Sequence, residues 1–156
     1  MTAVLAELLL LHPTLARIRA EAQAAGLPYA GGVPPADAWG LAQAGVATLV
    51  DVRTHEERVF VGRVPESLHV PWASGTALTR NPRFARELEA KVRKELPVLL
   101  LCRSGNRSAQ AAEAATRAGF LFAFNVLEGF EGSHDPARQR GHVNGWRWHG
   151  LPWIQD

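Results

Sequence analysis

From about residue 30 the hydrophobic positions fall into short continuous runs, separated by segments whose apolar residues recur at helical spacing. That alternation predicts an α/β domain with a mostly parallel sheet. The runs Thr48–Val52, Leu68–Val70, Val98–Leu101 and Phe122–Leu127 are read as strands, and their unbroken hydrophobicity suits strands covered on both faces. Helices are predicted between them. One opens at Pro34-Pro35-Ala36-Asp37 and stops at Gly45, and one carries Phe84, Leu88, Val92 and Leu96 at i,i+4 spacing. A third runs from about Ser108 to Ala118, with Ala109, Ala112 and Ala115 along one face and Gly119 at its end. Upstream, Met1–Leu11 reads as a short apolar helix. A second helix begins near Thr14, with Leu15, Ile18, Ala22 and Ala25 at helical spacing and Gly26 as its stop. The apolar start is not expected to be a signal peptide or anchor. No basic residues precede it, Glu7 interrupts it, and His12-Pro13 ends it short of the roughly 18 residues a spanning helix needs. Residues 1–29 are therefore expected to form a helical extension and residues 30–156 the main domain. The glycine-rich segment from Gly129 to Gly150 and the tail beyond it, with Trp146, Trp148 and Trp153, are expected to be ordered, irregular cover for the core.

Composition narrows the class. The chain has 156 residues, 47% hydrophobic and 21% charged, as for one globular domain; a chain of that size buries roughly 70% of its unfolded surface without a disulfide or metal. It carries one cysteine, Cys102, which excludes an internal disulfide, a cysteine-based zinc finger and a CxxC redox pair. With no export signal and no disulfide, the cytoplasm is the expected compartment. The 17 Lys and Arg against 15 Asp and Glu leave a net charge of only +2. Lysine occurs only at Lys91 and Lys94, and the basic residues are dispersed among acids, as in the i,i+4 pairs Glu87/Lys91 and Glu89/Arg93. No basic stripe follows a helix, so neither nucleic acid nor a membrane is an expected partner. His134, His142 and His149 are too widely spaced to read as a metal site. No long amphipathic repeat calls for a partner copy, and a monomer is the default.

The informative stretch is Leu101-Cys102-Arg103-Ser104-Gly105-Asn106-Arg107-Ser108, between a predicted buried strand and a predicted helix. Ligands of parallel sheets bind beyond the carboxyl ends of strands, which is where Cys102 falls. Backbone N–H groups in a short Gly105-containing turn that enters a helix form an anion-binding nest. A free thiol titrates near ~8.5, so lowering it to about 7 takes roughly 2 kcal/mol of preference for the thiolate. A helix terminus supplies ~0.3–2 kcal/mol of that, and the nest with Arg103 and Arg107 can supply the rest. On this reading Cys102 is a nucleophile; the alternative is that it is the last apolar residue of its strand. Arg107 could bind substrate or form an internal ion pair with a carboxylate such as Asp51 or a neighbour.

The loop resembles the active-site loop of single-domain rhodaneses, written C-R-x-G-x-R-S/T. Leu49-Val50-Asp51-Val52-Arg53 with Glu56-Glu57, then Gly62-Arg63-Val64-Pro65 and Leu68-His69-Val70-Pro71, are similar to that family's D-V-R…G-H-I-P-G-A…N-I-P pattern. Asn125-Val126-Leu127-Glu128-Gly129-Phe130 and Gly150-Leu151-Pro152-Trp153 match its V-x-x-L-x-G-G and G-L-P regions, so the resemblance runs from about residue 30 to 153. It implies a rhodanese-like three-layer domain, with a mostly parallel sheet of about five strands flanked by helices. It also implies a sulfurtransferase with Cys102 as the catalytic nucleophile. Arg103, Ser104, Gly105, Asn106, Arg107 and Ser108 would bind the substrate. The implied donor is thiosulfate or a persulfide, and the acceptor cyanide or a thiol, with neither metal nor organic cofactor.

Two alternatives remain in view. Phosphatases and arsenate reductases of this fold also use a loop thiolate, but their loops resemble C-x5-R, and here four residues separate Cys102 from Arg107; the tighter loop favours a single sulfur atom. A non-catalytic sulfur-binding or regulatory module is the other, although inactive members typically lack the cysteine. Arg63 departs from the family's histidine, and the segment from Glu57 to Gly62 is a residue longer than usual. His55 and Trp72 follow strands whose carboxyl ends face the site, where they could line its mouth or serve in packing.

Overall fold

The structure, a computed structural model, describes residues 11–156. The expected first helix lies, but for Leu11, outside the described residues. The fold is the α/β architecture expected: a five-stranded, all-parallel sheet flanked by helices. Its strands are β1 (Gly31–Val33), β2 (Thr48–Asp51), β3 (Leu68–His69), β6 (Val98–Leu101) and β7 (Ala123–Val126). They lie in the order β1-β7-β6-β2-β3. A separate hairpin joins β4 (Ala73–Ser74) to β5 (Thr79–Arg80).

β6 is central, and its four apolar residues are fully buried. Successive side chains point to opposite faces of a strand, so Leu99 and Leu101 enter one half of the core, while Val98, Leu100 and Cys102 enter the other. The first half is closed by α1 (Pro13–Ala24), through Leu15 and Ile18, and by α2 (Pro35–Gln43), through Ala38 and Leu41. The second is closed by α4 (Phe84–Glu89), through Phe84 and Leu88, and by α5 (Asn106–Arg117), through Ala111, Ala112 and Ala115. Small alanines let α5 lie close against β6 and β7, which brings its N-terminus to the end of β6.

Several expectations are corrected. β1 was not expected, because Gly31-Gly32-Val33 carries almost no hydrophobic pattern; it is a strand because it pairs with β7, Gly31 with Phe124 to Val33 with Val126. The six-residue α3 (His55–Phe60) was also missed, since it buries no side chain and rests on its capping box. The helix expected through Leu96 ends at Glu89. Leu96 is exposed and precedes Pro97, and a residue before proline is steered away from helical backbone. With the helix ended, the expected Glu87/Lys91 and Glu89/Arg93 pairs do not form. Lys91 donates instead to the His69 carbonyl at 2.8 Å, Glu89 pairs with Lys94 at 2.7 Å, and Arg93 lies 3.5 Å from Glu95. On α5 the buried face holds Ala111 rather than Ala109. No helix among the described residues is long and apolar enough to cross a membrane.

Candidate active site

Cys102 sits one residue past β6, only 1% exposed, at the carboxyl end of the sheet. The chain then turns through Gly105, whose φ of 103° is backbone that favours glycine, into α5. The turn aims the Gly105 N–H at Cys102 Sγ, 3.1 Å away, and the first turn of α5 places the Ser108 hydroxyl 3.2 Å from the same sulfur. Among the described residues, the N–H groups of Ser104, Asn106, Arg107 and Ser108 donate to no protein acceptor. These are the orphan donors of a helix start, in the loop that carries the Cys102 sulfur. Ser104 is half-buried and Asn106 exposed, and neither side chain is hydrogen-bonded to another described residue.

Asn125 of β7 fixes this geometry from beneath. Its Nδ2 donates to the Gly105 carbonyl at 3.2 Å, so its Oδ1 faces the Ser108 hydroxyl, at 2.5 Å. The single Ser108 proton thus has two acceptors. With a thiol, the S–H can donate to Ser108 and Ser108 to Asn125; with an anionic sulfur, Ser108 can donate to the sulfur itself.

Arg107 forms the internal ion pair, with Glu57 rather than Asp51. Its two terminal nitrogens reach Glu57 Oε1 and Oε2 at 2.7 and 2.9 Å, while Asp51 is engaged by Arg53 and Arg58. Such paired, parallel contacts are the strong geometry for this couple. Glu57 is held by the α3 cap: Thr54 N–H and hydroxyl donate to its carboxylate, and Glu57 N–H donates to the Thr54 hydroxyl. Burial would raise the Glu57 pKa, but the bonds from Arg107 and Thr54 together hold it below the ordinary carboxylate value. Burial would lower the pKa of Arg107, and Glu57 holds it above the ordinary value. A carboxylate whose folded pKa is depressed contributes stability present above its unfolded pKa and lost as pH falls through the folded one. Stability from this pair is therefore expected to persist at pH values above about 4.3, the ordinary glutamate value, and to fall away below it. Glu57→Gln should flatten that acid limb and lower the neutral-pH stability by about 1–3 kcal/mol, read from urea midpoints across pH. An acid limb unchanged by the substitution would show that another carboxylate governs it.

The segment after β7 grips the loop from the other side. Phe130 N–H donates to the Cys102 carbonyl at 2.8 Å, and the N–H groups of Glu131 and Gly132 donate to the Arg103 carbonyl at 2.9 and 3.2 Å. Gly129 lies so close that a Cβ on it would stand 2.4 Å from the Arg103 carbonyl carbon and oxygen. Gly129→Ala must therefore push the loop. Because misplacing a reacting group by about 1 Å can cost ~10²-fold, alkylation of Cys102 should slow by about that factor. An unchanged rate would mean the loop tolerates displacement.

Arg103 is half-buried, with its Nε buried and unpartnered. It faces a cavity of about 390 Å³ that Glu56, Glu57, Arg107, Glu131 and Arg140 also line. Neither His55 nor Trp72 lies on this cavity. His55 is exposed at the start of α3, and Trp72 is packed edge-on against Phe84 with its N–H donating to Gln110 at 3.2 Å. Of the tail tryptophans, Trp146 is the buried anchor, its N–H donating to the Pro152 carbonyl at 2.9 Å, while Trp148 and Trp153 remain partly exposed. His142 and His149 pair separately with Asp135 and Glu128. Sequence reasoning missed Glu57, Asn125, Glu131 and Arg140. The capping signature Thr54-x-x-Glu57 could have located the first; nothing local marks the others.

Comparison with known proteins bears on the family and the fold. The family model of the Rhodanese-like domain matches residues 34–135. Rv0390 from M. tuberculosis, a crystal structure, is 46% identical with a TM-score of 0.74, covering 82% of this chain and 99% of that one. The polysulfide-sulfur transferase homodimer from Wolinella succinogenes is 25% identical with a TM-score of 0.55, covering 90% of this chain and 89% of its own. The senescence-associated protein DIN1 of Raphanus sativus is 35% identical over 117 residues; the match takes in 74% of this chain but only 61% of the radish protein.

Proposed function

The chain belongs to the rhodanese-like domain family, and on that premise we propose that it is a sulfurtransferase carrying a sulfane sulfur on Cys102. The observation that carries this reading is the cup of donors at Sγ: the Gly105 N–H and the Ser108 hydroxyl lie on the sulfur, in a loop whose N–H groups at Ser104, Asn106, Arg107 and Ser108 have no protein acceptor among the described residues. Such a cup suits one anionic sulfur atom beyond Sγ, stabilised by fixed donors in a site largely closed to water. That the Wolinella protein is named a sulfur transferase supports the same chemistry.

In the first half-reaction the Cys102 thiolate attacks the outer sulfur of thiosulfate. The bond from Sγ to that sulfur forms, the thiosulfate sulfur–sulfur bond breaks, and its electron pair leaves on sulfite. In the second, cyanide or a thiolate attacks the terminal persulfide sulfur, and the pair of the Sγ–S bond returns to Sγ. No net oxidant is consumed. A persulfide donor follows the same course, with its thiolate as leaving group. Arg103 engages the charged end of the donor, and Arg107, locked to Glu57, holds the loop in shape.

A covalent carrier requires ping-pong kinetics. Thiocyanate formation at varied thiosulfate and cyanide should give parallel double-reciprocal lines. Intersecting lines, or no transfer from either thiosulfate or a small persulfide, would overturn the reading.

A further inference from the structure

Beyond residue 135, past the segment matched by the family model, the tail doubles back over the cysteine loop. An Asp135–Gln139 turn reverses it: Asp135 N–H donates to the Gln139 carbonyl at 2.8 Å, and Gln139 N–H to Asp135 Oδ1 at 2.8 Å. Trp146 N–H then donates to the Gly129 carbonyl at 2.8 Å, and the Asn144 side chain accepts from Ser133 N–H at 2.7 Å. This strap delivers Arg140 to the cavity that Arg103 and Arg107 line, and one of its nitrogens is held by the Gly132 carbonyl at 2.7 Å.

The three guanidinium groups are not equivalent. Arg107 is neutralised by Glu57, and Glu131 lies 3.8 Å from Arg147. Arg103 and Arg140 form no ion pair among the described residues, and the buried Arg103 Nε has no hydrogen-bond partner. Burial and the charges of Arg103 and Arg107 press the Arg140 pKa below its ordinary value, with Glu131 and the Cys102 sulfur acting the other way. Glu56, whose Oε2 is buried without a hydrogen-bond partner, lines the same cavity, and an anion lying between Arg103 and Arg140 would offset the repulsion of these two like charges.

We propose that Arg140 and Arg103 form an anion clasp at the mouth of the Cys102 loop, making Arg140 a specificity-determining residue for donors with a negatively charged leaving group. The clasp rests on the sulfur-transfer reading only for the identity of that anion. Thiosulfate, whose departing end is sulfite, is the donor class such a clasp favours.

Because Cys102 is the one cysteine of the chain, its alkylation reports on the clasp without any sulfur transfer. The rate ratio of anionic iodoacetate to neutral iodoacetamide cancels the intrinsic reactivity of the sulfur. Arg140→Ala should lower that ratio about tenfold, the size of one charge-assisted contact. Arg140→Lys should restore part of it, since charge returns without the fork. Arg140→Gln, which retains a donor for the Gly132 carbonyl, should behave as the alanine variant, showing that charge and not tail order is at issue. In turnover, Arg140→Ala should raise the KM for thiosulfate about tenfold at little cost in kcat. A ratio equal in wild type and Arg140→Ala overturns the clasp even where thiosulfate turnover is normal. A lowered ratio in a protein that transfers no sulfur upholds the clasp and overturns the sulfur-transfer reading instead.

Discussion

Cys102→Ser is expected to lower sulfur transfer by at least about a thousandfold while the protein stays folded. The sulfur is the reacting atom, and a serine hydroxyl in the same place is neither appreciably ionised at neutral pH nor able to form a persulfide. The substitution is nearly isosteric, and the Gly105 N–H and Ser108 hydroxyl that face Sγ at 3.1 and 3.2 Å can face an oxygen instead. Thermal unfolding should therefore shift by only a few degrees, and the comparison of turnover with melting separates lost chemistry from lost structure. Turnover equal to wild type would place the nucleophile elsewhere, and no second cysteine exists to take the role.

Asp51→Ala is expected to destabilise the domain by about 3–5 kcal/mol, the cost of leaving a buried charge without its partner. Asp51 and Arg53 are both fully buried. The Asp51 carboxylate accepts the Arg53 backbone N–H at 2.9 Å and side-chain bonds at 3.0, 3.2 and 2.8 Å, and Arg58 reaches it at 3.0 Å. Without Asp51, Arg53 keeps only the Gly62 carbonyl at 2.7 Å and the face of Phe130 at 4.2 Å. A domain commonly has about 5–15 kcal/mol of stability in all, so urea unfolding should show a large fall in midpoint at unchanged slope. Asp51 is in register with Leu101, next to Cys102, so the variant should also lose activity in proportion to the fraction unfolded. Replacing Asp51 and Arg53 together by apolar residues of similar volume should recover much of the stability. A fall below about 1 kcal/mol in Asp51→Ala would mean that water reaches Arg53.

The sequence made the central part of the molecule legible because that part has a dense local signal. Val98–Leu101 is a strand end for end, as its four-residue apolar run predicts, and the turn after it lies at the carboxyl edge of a parallel sheet. The edge was not legible: Gly31–Val33 is a strand only by virtue of β7, a pairing across about ninety residues that no window of sequence contains. The site divides in the same way. Cys102, Gly105 and Ser108 lie within one turn and were identified together. Asn125, Gly129 and Arg140 meet that loop only because β7 and the tail fold back upon it, through Gly105, Arg103 and the shared cavity. The choice of Glu57 over Asp51 as the partner of Arg107 was settled by competition. Asp51 is saturated by two arginines, whereas the α3 cap leaves the outer edge of Glu57 open to a third.

The most direct test of the sulfur-carrier claim is the intact mass of the protein after treatment with thiosulfate. The account predicts a gain of one sulfur atom, localised to Cys102, removed by cyanide or by a thiol reductant, and absent from Cys102→Ser. A wild-type mass that does not change with thiosulfate or a small persulfide, or an equal gain in the serine variant, would contradict it.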